Sequence, residues 1–239
     1  MPLALITGGA TGLGAAIARE AHDRGYEVAV LDLAEARDVP WRSLVGDVTD
    51  EASLIAALDA LGAVPDLLVN NAGVVQFAPL LDMTTEEFAR ITAINLTGAF
   101  SMARLVARGM VERGSGHIVN VTSIAGIATS PGVNAYVSSK RGLAALTELM
   151  AQEWGPSGVR ANAVAPGMID GGMSTGIYQN EAARARRSGA VPSRRLGTED
   201  DIAQAVMWLD SEGASYINGH ELVVDGGVTK AVMSLIPRD

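Results

Sequence analysis

Cysteine is missing from all 239 residues. That excludes disulfides, a thiol nucleophile and a cysteine-held iron–sulfur cluster. The three histidines, His22, His117 and His220, stand far apart and fit no metal-ligand spacing, so no metal is expected. Positive charge is short: 18 Lys and Arg face 27 Asp and Glu, for a net charge of −9. That balance argues against general binding to nucleic acid or to an anionic membrane. No apolar run reaches the roughly 18 residues of a membrane span. A strand is expected from about Leu3, which leaves no room for a signal peptide, and a cytoplasmic protein is the default expectation. Lysine is nearly absent as well. Sixteen of the 18 basic residues are Arg, and the lysines are Lys140 and Lys230.

What remains is a globular composition, 48% apolar and 19% charged, long enough for one α/β domain. Residues 3–6 are an apolar run that ends in Thr7-Gly-Gly-Ala-Thr-Gly-Leu-Gly14. A helical pattern follows to about Arg24, and Glu27–Asp32 reads as a buried strand ending in an acid. Strand, glycine-rich turn, helix and strand make a βαβ unit. The glycines allow a tight turn, let a phosphate approach the backbone and draw helix onto strand. The helix N-terminus then faces a pyrophosphate. A dinucleotide is expected against Gly8, Thr11, Gly12, Leu13 and Gly14. Asp32 can hydrogen-bond both ribose hydroxyls of NAD and would repel the 2′-phosphate of NADP. No Arg or Lys stands in residues 7–14. NAD is therefore the expected cofactor, with Leu33 beside Asp32 in its site.

Residues 33–42 carry Pro40 and Trp41, and no full helix is expected between the second and third strands. The third strand is expected over 43–46, followed by Asp47 and Val48. Asp47 either meets the adenine or is a turn acid capping the helix of residues 50–61. A fourth strand over 66–69 runs into Asn70-Asn-Ala-Gly73, so Asn71, Ala72 and Gly73 are cofactor candidates. Residues 84–113 read as one long helix with Asn95, a poor mid-helix residue, in its middle. A fifth strand, 117–122, delivers Ser123. A helix over 135–154 carries Tyr136 and Lys140. A sixth strand, 159–164, leads to Pro166, Gly167 and Ile169. Residues 168–197 are expected to be irregular, a segment long enough for a substrate lid. Thr198 caps a helix to about Leu209, and Glu221–Val224 is a seventh strand. The expected fold class is α/β: a doubly wound parallel sheet of about seven strands, helices on both faces, in a single domain over 1–239. Ligands of such sheets bind outside the carboxyl ends of the strands. Gly14, Asn70, Ser123 and Gly167 all map to that edge.

Tyr136 and Lys140 stand four apart and so share a helix face. A free tyrosine titrates near pH ~10. An ammonium about 4 Å away, at an effective dielectric of about 20, favours the phenolate by roughly 4 kcal/mol. The expectation is a phenol lowered by up to about three units, able to exchange a proton at physiological pH. Arginine is bulkier and a different donor, which explains a lysine in a chain that otherwise avoids it.

The residues Thr7-Gly-x-x-x-Gly12-x-Gly14, Asn70-Asn-Ala-Gly73, Asn95, Ser123, Tyr136-x-x-x-Lys140, Pro166-Gly167, Arg195-Leu-Gly-Thr and Leu222-Val-Val-Asp-Gly-Gly227 stand in order. Over essentially the whole chain they resemble a classical short-chain dehydrogenase/reductase. The resemblance implies a Rossmann-type fold and a catalytic set of Asn95, Ser123, Tyr136 and Lys140. Tyr136 would be acid and base on the substrate oxygen, and Ser123 would hold that oxygen. Lys140 would lower the tyrosine pKa and bind the nicotinamide ribose. Asn95 would keep a water-linked proton relay to Lys140. Tyr136 and Lys140 thereby join the cofactor contacts. A homo-oligomer, dimer or tetramer, is also implied, with the helices of 84–113 and 135–154 pairing across it.

The chain departs from the family pattern in four places. Gly171 stands where the family has a Thr that contacts the nicotinamide carboxamide, with Ser174 and Thr175 as candidate replacements. Glu199 stands where the family often has Pro and reads as benign. The segment after Asp32 is short. The tail over 228–239, with Met233, Leu235 and Ile236, is expected to pack on a neighbouring subunit.

The expected activity is interconversion of a secondary alcohol and a ketone with NAD(H). Substrate candidates are Ser123, Ala125, Val133, Tyr136, Met168, Met173 and Ile177, with Val75, Gln76, Ile124 and Tyr178 around them. This mostly apolar set favours a neutral alcohol or ring compound over a polyanion, although each member competes with plain core packing. Arg184, Arg186 and Arg187 read as a solvated lid face rather than a carboxylate clamp. One alternative is a reductase of 3-oxoacyl groups on acyl carrier protein, with Arg104, Arg108 and Arg113 as docking patch and Asp32 against its usual NADPH. Another is a non-catalytic NAD-binding sensor or scaffold, against which the four intact positions argue.

Overall fold

Apolar runs without alternation form strands covered on both faces. The computed structural model, which describes residues 1–231, bears this out. The strands are β1 Leu3–Thr7, β2 Glu27–Asp32, β3 Arg42–Val45, β4 Leu67–Asn70, β5 Gly116–Val121, β6 Val159–Pro166 and β7 Glu221–Val224. They form one seven-stranded sheet in the order β3-β2-β1-β4-β5-β6-β7. Every neighbouring pair is parallel. The strand order reverses between β1 and β4, which is where such sheets open a ligand crevice.

The helices are α1 Gly12–Asp23, α2 Glu51–Leu61, α3 Thr85–Thr92, α4 Ala99–Arg113, α5 Asn134–Trp154, α6 Thr175–Tyr178, α7 Glu181–Ala190 and α8 Glu199–Leu209. Each face of the sheet has its own core. On one, Ile17 of α1 and Ile202 and Val206 of α8 pack with Ile6, Val30, Val69 and Val119. On the other, Leu54 of α2, Met102 and Met110 of α4 and Met150 of α5 pack with Leu5, Leu31, Leu68 and Ile118. Each such side chain contributes about 1.5–3 kcal/mol on burial. The sheet is thus the firm base on which the loops at its carboxyl edge are set.

Helix starts follow their caps. Asp50 accepts from the Ala52 amide, and Thr84 with Glu87 and Thr198 with Asp201 close capping boxes. Residues 33–42 contain no helix, as expected, and strand ends differ from expectation by one or two residues.

Two expectations are corrected. Residues 84–113 are not one α-helix, because a π-helical stretch, Ala93–Gly98, joins α3 to α4. Wider turns of this kind mark functional sites, and Asn95, fully buried, lies inside it. Residues 168–197 are not irregular, because they hold α6 and α7. Asn180 caps α7 by accepting from the Ala183 amide at 3.1 Å. The Ala and Arg that follow favour helix, while Gly171, Gly172 and Gly176 before it had suggested loop. Met233, Leu235 and Ile236 lie outside the described residues. Among the described residues no helix is long and apolar enough to cross a membrane.

The opposite, amino edge of the sheet is locked by a buried polar cluster. His117 Nδ1 lies 2.8 Å from Asp210 Oδ1, and Asn162 Nδ2 is 3.1 Å from His117 Nε2. Donation from Asn162 requires a neutral imidazole with its proton on Nδ1. Tyr26 donates its hydroxyl to Asp210 Oδ2 at 2.5 Å. Burial pushes the His117 pKa below its ordinary value, and the Asp210 hydrogen bond opposes that. Burial and the Asp210 carboxylate raise the Tyr26 phenol. The histidine that looked isolated in sequence is therefore a structural tie.

Candidate active site

The ends of β1, β4, β5 and β6 surround one crevice. After β1, Gly8 and Gly12 take φ of 65° and 57°, a region that favours glycine. A Cβ on Gly14 would lie 2.0 Å from the Gly8 carbonyl oxygen, so only glycine lets α1 begin this close to the loop. Thr11 precedes α1 without a side-chain cap, and the first turn of α1 contains no acid. Its leading amides are left for an anion. Thr7 Oγ1 accepts from the Asn71 and Ala72 amides, both at 3.1 Å. Asn71 Nδ2 donates to the Thr7 and Gly8 carbonyls at 3.1 and 3.0 Å. The glycine loop is thereby fastened to the end of β4. A pyrophosphate-bearing cofactor fits this loop.

Asp32 Oδ2 accepts from the Ala10 amide at 3.0 Å, and Oδ1 from the Leu33 amide at 2.8 Å. Each oxygen keeps further acceptor capacity, so the carboxylate can brace the loop and still meet a ribose. Asp47 behaves as a turn acid. Its Oδ1 accepts from the Thr49 amide and hydroxyl at 2.8 and 2.7 Å. The cap of α2 is Asp50 rather than Asp47. Val48 is held against Gly98 of the π-helical stretch, where a Cβ would come within 2.9 Å of it.

Ser123, Tyr136, Lys140 and Asn95 converge from β5, α5 and the π-helical stretch. Ser123 Oγ accepts from the Ala125 amide at 3.1 Å, and its hydroxyl faces the Tyr136 phenol. Burial pushes the Tyr136 phenol up, and the neighbouring Ser123 hydroxyl pulls it partly back. The expected lowering by Lys140 is not realised. Lys140 Nζ donates to the Val121 carbonyl at 2.8 Å and lies 5.7 Å from the centre of the Tyr136 ring. Burial lowers the Lys140 ammonium to a pKa of about 8. Desolvation thus outweighs attraction for both members of the pair. Asn95 Oδ1 accepts from the Val74 amide at 2.8 Å, and Nδ2 donates to the Val74 carbonyl at 2.9 Å and to Ser139 Oγ at 3.1 Å. Ser139 Oγ in turn donates to the Tyr136 carbonyl at 2.8 Å. A Cβ on Gly73 would stand 3.2 Å from Asn95 Oδ1 and 3.5 Å from Lys140 Nζ. The glycine keeps open a space bordered by both groups.

Residues 8–229 match the family model described as enoyl-(acyl carrier protein) reductase. The chain is 37% identical over 246 residues to 2-(R)-hydroxypropyl-CoM dehydrogenase of Xanthobacter autotrophicus, covering 95% of this chain and 98% of that protein. The chain belongs to the classical short-chain dehydrogenase/reductase family. Among solved structures this dehydrogenase/reductase resembles a gluconate 5-dehydrogenase from Burkholderia cenocepacia in complex with NADP and tartrate. The TM-score is 0.91 at 32% identity, over 97% of this chain and 96% of that one. It also resembles a 3-oxoacyl-[acyl-carrier protein] reductase with bound NAD from Brucella melitensis. There the TM-score is 0.86 at 34% identity, over 95% and 90% of the two chains.

Sequence reading of this dehydrogenase/reductase missed Asn134. Its φ is 36°, and its Nδ2 donates to the Gln76 and Ala78 carbonyls at 3.1 and 3.0 Å. It pins the loop after β4 to the first turn of α5, two residues before Tyr136. An asparagine just after a Pro-Gly turn was the available signal, since asparagine tolerates left-handed backbone.

The candidate substrate residues divide. Ala125, Val133 and Ile177 are half-buried, and Met173 is 53% exposed. Met168 and Ile169 line a cavity of about 140 Å³ with Val191, Arg195 and Val224, and Tyr136 is not among its walls. Tyr178 is buried rather than pocket-lining, with the Arg187 guanidinium 5.6 Å from its ring centre. Arg184 is paired with Asp170 and its side chain stays 42% exposed, so it keeps to a solvated face and is not free for substrate. Thr175 Oγ1 donates to the Gly172 carbonyl at 3.0 Å. Glu199, at the start of α8, lies against Gly171. A Cβ on Gly171 would lie 2.4 Å from Glu199 Oε1, so these two departures from the family pattern occupy each other's space.

Proposed function

We propose that this oxidoreductase, which acts on CH–OH groups with a nicotinamide cofactor, interconverts a neutral secondary alcohol and its ketone using NAD(H). The observation that carries the reading is Ser123 set against the Tyr136 phenol, with Lys140 beneath the same tyrosine, on a sheet edge that also presents an uncapped helix start. The pyrophosphate would lie on Gly8, Thr11, Gly12, Leu13 and Gly14. The adenosine would lie by Asp32, Leu33 and Val48, with Asp47 shaping the turn beneath. The nicotinamide end would meet Asn71, Ala72, Gly73, Pro166, Gly167 and Ile169.

The nicotinamide supplies hydride exchange at the substrate carbon. Ser123 and Tyr136 hold the substrate oxygen between two hydroxyls. In oxidation Tyr136 takes the alcohol proton, and in reduction it returns one. Lys140, braced by Val121, refills Tyr136 through the space over Gly73, and Asn95 keeps that space in register through Val74 and Ser139. Residues 168–197 serve as the lid over the substrate.

NAD rather than NADP is the choice because Asp32 places a carboxylate where a 2′-phosphate would sit. Asp32→Ala should lower the NAD-to-NADP ratio of kcat/KM by at least about tenfold, the loss of one charge-assisted hydrogen bond. Steady-state rates with both cofactors measure it. Wild type that already prefers NADPH would refute the assignment.

The acyl-carrier alternative is weakened by its own docking patch. Arg104 is paired with Glu51 at 2.7 Å, and Arg113 donates to the Val64 and Pro65 carbonyls. The non-catalytic alternative is disfavoured by the intact quartet. A cytoplasmic homo-oligomer completes the proposal, with α4 and α5 presenting the half-exposed Phe100 and Leu149 to a second copy. Light scattering should give a mass of at least two chains, and a monomer at working concentration would count against the pairing. NADH production across secondary alcohols, cyclic alcohols and sugars would narrow the substrate.

A further inference from the structure

Glu199 is the first residue of α8, and its carboxylate reaches across to the start of α1. Oε1 lies 2.4 Å from where a Cβ on Gly171 would stand, 3.6 Å from one on Gly12 and 3.8 Å from one on Gly172. A Cβ on Gly12 would itself stand 3.2 Å from the Gly172 Cα. The loop after β6 therefore crosses the first residue of α1, and an acid fills the corner between them. A side chain at 171 would displace that carboxylate from the corner.

The charges around this corner do not neutralise it. Arg195 is committed to Asp201 at 2.5 Å, and Arg19 to Asp200 at 2.8 Å. Glu199 itself has no hydrogen-bond or ion-pair partner among the described residues. It is half-buried, so solvent screens it only in part. The amides that open α1 make that corner attractive to an anion, and an unpaired carboxylate there opposes one.

We propose that Glu199 sets cofactor affinity by holding a negative charge against the pyrophosphate site, and that Gly171 is the glycine that makes room for it. The inference rests on the nicotinamide-cofactor reading. The pair trades tight binding for fast release, and it does so at the pyrophosphate rather than at the reacting carbon. The affected ligand class is therefore any dinucleotide or nucleoside diphosphate that uses the glycine loop.

The test is binding rather than turnover. NADH is titrated by fluorescence, and ADP-ribose by competition, into the full chain and into Glu199→Gln. Both ligands should bind about tenfold more tightly to the variant, and the gain should shrink in high salt. Asp200→Asn, an exposed and already paired neighbour, should bind both as wild type does. Glu199→Pro should repeat the gain, since proline suits the first helical position, and it serves if the glutamine variant fails to fold. Unchanged affinities in Glu199→Gln overturn the proposal. Weaker NADH with unchanged ADP-ribose also overturns it, and would make Glu199 an acceptor for the carboxamide instead. Wild type that binds neither ligand sinks the cofactor reading itself, an outcome distinct from either.

Discussion

Tyr136→Phe will bind NADH as the unaltered chain does and turn over roughly a thousand-fold more slowly, the worth of one positioned acid–base group. The substitution removes one oxygen and keeps the ring beside Lys140. The glycine loop, Asp32 and Asn71 are untouched, so a fluorescence titration should not change. Ser123 keeps its own bond to Ala125 and can still hold a substrate oxygen, which leaves a small residual rate. The pH profile adds a second readout. Burial raises the Tyr136 phenol, so at neutral pH the resting group carries its proton. That form is ready for ketone reduction. Alcohol oxidation needs the proton gone, so its kcat should climb with pH while reduction does not. An unimpaired phenylalanine variant would remove Tyr136 from the mechanism.

Lys140→Met should be inactive and more stable than wild type. Lys140 is 3% exposed and makes one hydrogen bond, to Val121. Burial lowers its pKa from 10.5 to about 8. Above pH 10.5 the amine is neutral whether folded or unfolded, and its burial costs little. As pH falls toward about 8, the unfolded chain takes up the proton and the folded chain does not, so stability drops. Below that, both states carry the charge and the full cost stands, about 3 kcal/mol. Methionine has similar volume and no charge. Allowing for the lost hydrogen bond, the gain at pH 7 should be about 1–3 kcal/mol, a rise in Tm of about 3–10 °C. The gain should fade above pH 10.5. A Tm that falls at pH 7, or a gain that persists in strong alkali, would show that Lys140 is not held at such a cost. If the gain appears and fades as expected, Lys140 is a residue the chain keeps for chemistry against its own stability.

The sheet was legible because its strands are continuous apolar runs, and a run such as residues 3–6 has only one use in a parallel sheet. The Gly8–Gly14 loop was legible because tight turns leave few choices. Ser123 and Tyr136 were legible through spacing. What escaped depended on where atoms lie across the fold. Spacing placed Lys140 near Tyr136 but did not reveal that the Val121 carbonyl would hold its ammonium. Asp47 reads as acid in any context, and only Thr49 beside it decides that it serves the turn. Glu199 and Gly171 are 28 positions apart, and nothing in either alone announces that one fills the other's space. Asn134 and Asn95 work through backbone carbonyls and amides, which carry no residue label.

The π-helical stretch has a consequence for how this chain can vary in length. A residue removed within Ala93–Gly98 would let α3 and α4 fuse into one regular helix. The wider turn takes up one residue more than an α-turn, so α4 would keep its angle about the helix axis. Met102, Val106 and Met110 would stay buried against the sheet. The same loss would withdraw Asn95 from Val74. The surplus residue therefore serves Asn95 rather than the core, and a deletion there would spare the packing and cost the site.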